Sequence, residues 1–161
     1  RLEKKGVITR KVGIARSIQL VSSNAELYPK PVYIPEIKKI THRNVDDLLN
    51  IYKIVTYHPL PPTLAKQESG MLIYQCSHSG LEPSGIKSGD FLLLNVKADI
   101  KSGDIILVFY NNLALLRFYH ADNKTGKILL KADSNILGKE LFDPDEVKIV
   151  GKVEGRYTKF L

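Results

Sequence analysis

"DIILVFYNNLALLRFYH", residues 104–120, decides the fold. Two strand-length apolar runs flank Asn111-Asn112. Asparagine tolerates the positive φ of a two-residue hairpin turn, so the stretch predicts an antiparallel β-hairpin. Neither run approaches the roughly 20 apolar residues needed to cross a bilayer.

The same signals continue outward in both directions. "MLIYQCS" after Gly70 predicts a strand, and "DFLLLNVK" predicts another, entered through the tight "KSGD" turn at 87–90. "KILLKAD" follows the "DNKTG" turn, and "VKIVGKVEGRYTKF" predicts a closing strand or pair of strands. Short strands separated by turn residues about every 8–12 positions predict a mainly β, compact domain. Upstream, "VDDLLNIYKIV" reads as a short helix capped by Asn44, while "IYKIVTYH" reads equally as a strand. "HPLPP" is expected to end any regular element there. Residues 21–35, with prolines at 29, 31 and 35, read as a linker.

Charge is concentrated at the front. Of the net +7, residues 1–16 hold +5, with six Lys or Arg against Glu3. "VITR" and "SIQLV" predict two short strands around the turn at Gly13, following a helix that Gly6 would stop. A basic hairpin after a helix end is the shape of a wing, whose cations position a DNA backbone rather than read bases. The chain opens at Arg1 rather than Met, as expected of a fragment or processed product.

Composition narrows the chemistry. With 43% hydrophobic residues the chain can build a core, and 25% charged residues is ordinary for a folded domain. One cysteine, Cys76, excludes an internal disulfide and fits a reducing compartment. His42, His58, His78 and His120 have no metal-ligand spacing, so neither a metal nor another cofactor is expected. Neither a phosphate-binding glycine loop nor a G-x-S-x-G elbow occurs.

"LEKKGVITRKVGIARSIQL" resembles the end of the DNA-binding domain of the LexA repressor family, where the last helix of a winged helix-turn-helix runs into the wing. "SHSGLEPSGIKSGDFLLL", "KSGDIILVFYNNLALLRF" and "LLKADSNI" look like successive blocks of that family's C-terminal domain, a self-cleaving serine-lysine (S24) peptidase related in fold to signal peptidase. The resemblance implies residues 1–20 as the remnant of the DNA-binding domain, 21–35 as linker, and 36–161 as the peptidase-like domain. In the family, one block reads S-G-x-S-M-x-P/D-x-G-I-x-x-G-D. Ser77, Leu81, Pro83, Gly85, Ile86, Gly89 and Asp90 fall in place, and the nucleophile position falls on Gly80. The general-base lysine position falls on Leu116, with Arg117 following as in the family. The scissile pair falls on Lys39-Ile40, where the family has Ala-Gly or Cys-Gly.

The chemistry makes these departures matter. A serine hydroxyl needs a base, and a lysine serves only when neutral, with its pKa lowered by burial. Glycine supplies no nucleophile and leucine no base, and the guanidinium of Arg117 stays protonated. Lysine and isoleucine are expected to fill the space through which small residues would thread. Self-cleavage is therefore not expected. The rival reading takes Ser79 as a shifted nucleophile, but Lys124, Lys127 and Lys131 all lie past the hairpin. Ser77, Ser79, Ser84 and Ser88 are most simply turn formers.

The resemblance further implies a homodimer through the closing strand, Lys152, Val153, Glu154, Gly155, Arg156 and Tyr157. It also implies a palindromic double-stranded DNA operator, touched on its backbone by Lys4, Lys5, Arg10, Lys11 and Arg16. The expectation is a bacterial, cytoplasmic transcription regulator whose peptidase domain does not cleave itself. The alternative is an active SOS-response repressor that answers DNA damage through a RecA filament. Without a dyad, a RecA-filament partner is not expected. A signal-peptidase relative and a general interaction module with a basic tail complete the alternatives.

Overall fold

A computed structural model describes residues 8–10, 18–20, 29–50, 53–65, 70–133 and 140–158. The strands are β1 (Ile8–Arg10), β2 (Ile18–Leu20), β3 (Val32–Ile37), β4 (Ile54–Leu60), β5 (Met71–Gln75), β6 (Phe91–Asn95), β7 (Ile105–Tyr110), β8 (Leu113–Ala121), β9 (Ile128–Lys131), β10 (Leu141–Phe142) and β11 (Lys148–Tyr157). No α-helix occurs among the described residues. β1 and β2 pair antiparallel, with Ile8 opposite Leu20 and Arg10 opposite Ile18, which is the short hairpin read from "VITR" and "SIQLV". The other nine strands form one sheet in the order β10-β9-β8-β7-β11-β6-β5-β3-β4.

The predicted hairpin is present. Tyr110 faces Leu113, and Asn111 and Asn112 adopt φ of 47° and 63°. The apolar runs are continuous because both faces of these strands are covered. Leu107, Phe109, Leu116, Leu92, Leu94, Leu72 and Tyr74 meet in one central cluster. On the opposite face, Ile106, Val108 and Leu115 join a second cluster, while Ile73 and Leu93 join a third. β11 links the two halves. Its residues 148–152 pair with β7 and its residues 152–157 pair with β6, with register shifts before Gly151 and Gly155. A Cβ on Gly151 would lie 2.9 Å from the Asn95 carbonyl oxygen, so the crossing needs glycine.

Two expectations change and a third is refined. β3 begins at Val32, so residues 32–35, read as linker, belong to the sheet. No α-helix forms over residues 45–50 and 53–55, the described part of the proposed helix at 45–55. Instead the Asn44 side chain accepts from the Thr41 amide (2.7 Å) and donates to the Lys39 carbonyl (2.8 Å), closing turns. The strand reading holds from Ile54, and the strand ends at Leu60 within "HPLPP" as expected, although Pro59 itself lies inside β4 opposite Tyr33. β4 is the last strand of the sheet, so a residue lacking N–H is tolerated there.

Candidate functional site

The turn between β5 and β6 is held like a clasp. The Cys76 amide donates to the Asp90 carbonyl and the Gly89 amide to the Cys76 carbonyl, each at 2.8 Å. Within it the Ile86 amide reaches the Leu81 carbonyl (3.1 Å), and the Leu81 amide donates to the Ser79 hydroxyl (3.0 Å). Gly80 sits at the bend with φ of 71°, a conformation that favours glycine. Two bonds from the segment after β9 fix the bend. The Asp133 amide donates to the Gly80 carbonyl (3.0 Å), and the Asp133 carboxylate accepts from the Ser84 amide (2.9 Å).

Asp90 closes the base of the turn and is 2% exposed. It accepts from the Lys87 amide (2.9 Å), the Thr158 hydroxyl (2.6 Å) and Arg156 (3.4 Å). Burial works to raise its pKa, but these hydrogen bonds and the Arg156 and Lys87 charges outweigh it, so the carboxyl stays below its usual range. Cys76, beside it, is buried, and burial followed by the charges of Asp90 and Glu82 pushes its thiol up to about 11. Cys76 is thus a core residue rather than a reactive thiol.

Gly80 and Leu116 do not face one another as closest neighbours. Leu116 is fully buried in the central cluster with Leu81 and Ile40. Space beside Gly80 is instead taken by Arg117. A Cβ on Gly80 would lie 3.0 Å from Arg117 Nη1 and 3.7 Å from Ala132 Cβ. Arg117 is 3% exposed and donates to the Leu116 carbonyl at 2.6 Å. Burial lowers its pKa, although a guanidinium stays charged at physiological pH.

Two cavities adjoin at Ser77, His78 and Leu113. One, about 260 Å³, is bounded by Ser79, Gly80, Glu82, Leu115 and Arg117. The other, about 440 Å³, is bounded by Lys39, Ile40, Tyr74 and Asn112. The residues aligned with the scissile pair therefore stand next to the Gly80 cleft. Lys39 is exposed and only Ile40 is buried, so the cost of burying a charged lysine there is not incurred in this conformation. The Ser79 hydroxyl is buried and occupied by the Leu81 amide. No lysine borders its cavity, while Lys124 and Lys131 are exposed and Lys127 pairs with Asp143 at 3.3 Å.

The other sequence-derived residues are elsewhere. Lys4, Lys5, Lys11 and Arg16 lie outside the described residues, and Arg10 ends β1. Lys152 pairs with Asp104 (3.0 Å), Val153 packs on the central cluster, and Glu154 and Arg156 are exposed. Tyr157 donates to or accepts from His58 Nδ1 (2.7 Å) and stacks on Phe91 at 5.0 Å. Burial, followed by the Glu36 charge, pushes its hydroxyl up to about 12. Past Lys152 the register with β7 stops, so among the described residues 153–157 have a strand partner, β6, on one side only. No cluster of three potential metal ligands occurs among the described residues, and no helix there could cross a membrane.

Comparison with known proteins agrees with this geometry. The chain is 28% identical to the LexA repressor of Enterococcus faecalis over 164 residues, covering 100% of this chain and 75% of that protein. It is 29% identical to the LexA repressor of Thermosipho africanus over 156 residues (96% and 73%). It is 24% identical to that of Clostridium botulinum over 160 residues (99% and 76%). A family model described as Peptidase S24-like matches residues 46–154, a span that includes Gly80, Leu116 and most of β11. With β-strands throughout, the clasped turn before β6 and that match over most of its length, the chain belongs to the Peptidase S24-like family.

Proposed function

We propose that this protein is a LexA-like, DNA-binding transcription regulator of the bacterial cytoplasm, and that its S24 domain dimerises but does not cleave the chain. One observation carries the reading. Where the family places its nucleophile, Gly80 abuts the Arg117 guanidinium, and the position of the base is a leucine sealed in the core. Cleavage by a serine-lysine pair needs a hydroxyl and a neutral amine within hydrogen-bond reach, and these positions supply neither. Ser79 as a shifted nucleophile is disfavoured by its engaged hydroxyl and by the lack of a bordering lysine.

The one-sided edge of β11 at residues 153–157 supports dimerisation, since a two-fold copy can add a strand there. A two-fold protein suits a palindromic operator, and the cations of residues 1–16 suit its phosphates. The test is sedimentation and footprinting of the full-length protein. The expected result is a dimer giving a two-fold footprint that weakens steeply with salt. Charge reversal at Arg10 and Lys11 should weaken binding on all sequences alike. Unchanged affinity would favour an interaction module with a basic tail.

A further inference from the structure

Arg117 is a buried cation with no anionic partner among the described residues. Among the described residues its one hydrogen bond runs to the Leu116 carbonyl, and no carboxylate comes within ion-pair distance. Glu82 borders the same cavity, but its carboxylate accepts from the Gly80 amide at 3.3 Å. Asp133, the other acid at this turn, is engaged by the Ser84 amide. Buried charges are ordinarily paired, because an unpaired one forfeits its hydration without return. Here the guanidinium borders a cavity of about 260 Å³ whose apolar wall is Leu113 and Leu115. Gly80 is what admits it, since any side chain there would press on Nη1.

We propose that this cavity is a receptor site for a small monocarboxylate with a short apolar body, its carboxylate paired with Arg117 and its body resting on Leu113 and Leu115. The planar fork of a guanidinium matches a carboxylate by two parallel hydrogen bonds. A single buried cation with Glu82 nearby suits one negative charge better than the near-dianion of a phosphate. The volume suits a small molecule. The inference does not rest on DNA binding or on loss of cleavage, and its test reads the cavity directly.

The experiment is an amide and methyl NMR titration of the full chain with sodium hexanoate, alongside hexanol, hexylamine, inorganic phosphate and acetyl-Leu-Glu-amide. Saturable shifts at Gly80, Leu113, Leu115 and Arg117 with hexanoate, and weaker ones with every other probe, are expected. Arg117→Gln should weaken hexanoate roughly tenfold or more, as loss of a charge-assisted pair does. If that variant does not fold, Leu113→Trp, which fills the mouth and keeps the cation, should weaken it instead. No saturation with hexanoate, or unchanged affinity in the folded variant, overturns the proposal. Equal binding of hexanol shows an apolar patch only, equal binding of phosphate a general anion site, and tighter binding of the peptide a protein-docking site. Each of these results also overturns it.

Discussion

Gly80 and Arg117 fit only as a pair: a Cβ on Gly80 would stand 3.0 Å from Arg117 Nη1, and the glycine holds φ at 71°. The bend therefore carries two demands on residue 80, one on backbone conformation and one on space. Gly80→Ala should lower stability by about 1–3 kcal/mol, as a non-glycine residue in a disfavoured region does. Chemical denaturation checks this. The contrasting site is Gly89, at φ of 92° with no atom within 4 Å of its would-be Cβ, where only the backbone demand applies. Gly80→Ala should displace the Arg117 resonances, whereas Gly89→Ala should leave them in place.

Asp90 should set part of the acid limit of the fold. Its folded pKa lies below the ordinary aspartate value, so it contributes stability above the unfolded pKa of about 3.9. That contribution is lost as pH falls from there through the folded pKa. Asp90→Asn should cost about 1–3 kcal/mol at neutral pH through imperfectly met Lys87 and Thr158 bonds. It should also flatten the dependence of stability on pH below about 4. Unfolding free energies measured across the acid range, wild type against variant, read both effects.

Cys76 should resist thiol reagents in the folded protein. It is 2% exposed and its pKa is pushed up to about 11, so little thiolate forms near neutral pH. Labelling with a chromogenic disulfide should be slow in native buffer and complete in denaturant. Fast native labelling would place Cys76 in a segment that opens readily, and would revive a redox role for it.

Much of the architecture is legible in the sequence because its turns carry their own chemistry. Asn111-Asn112 announces the β7–β8 hairpin, and the glycines of the clasped turn mark the bend before β6. What escaped reading depended on neighbours. Pro59 stands inside a strand because β4 is an edge, and edge position is a property of the sheet rather than of "HPLPP". β10, two residues long, has no period to detect. Lys152 to Tyr157 read as a closing strand, but nothing local tells that the strand changes partners halfway.

The site divides the same way. Alignment of the turn places Gly80, and the structure then adds Arg117, which cannot act as a base and so has no role in the sequence reading of the site. The signal was present: Arg117 stands in "LALLRF" with the same strand parity as Leu115. A cation at that parity in a strand covered on both faces is bound to be enclosed. Asp133 and Thr158 were missed because each reaches the turn from far along the chain, 49 and 68 residues from its partner.

The most direct test of the central claim is the intact mass of the full-length protein after incubation at neutral and alkaline pH, with and without an activated RecA filament. Alkaline pH deprotonates any lysine that could act as base, so it favours cleavage if cleavage is possible. A single undivided mass under every condition is the predicted result. Two fragments meeting at or near Lys39-Ile40 would contradict the account and make Ser79 the first residue to replace.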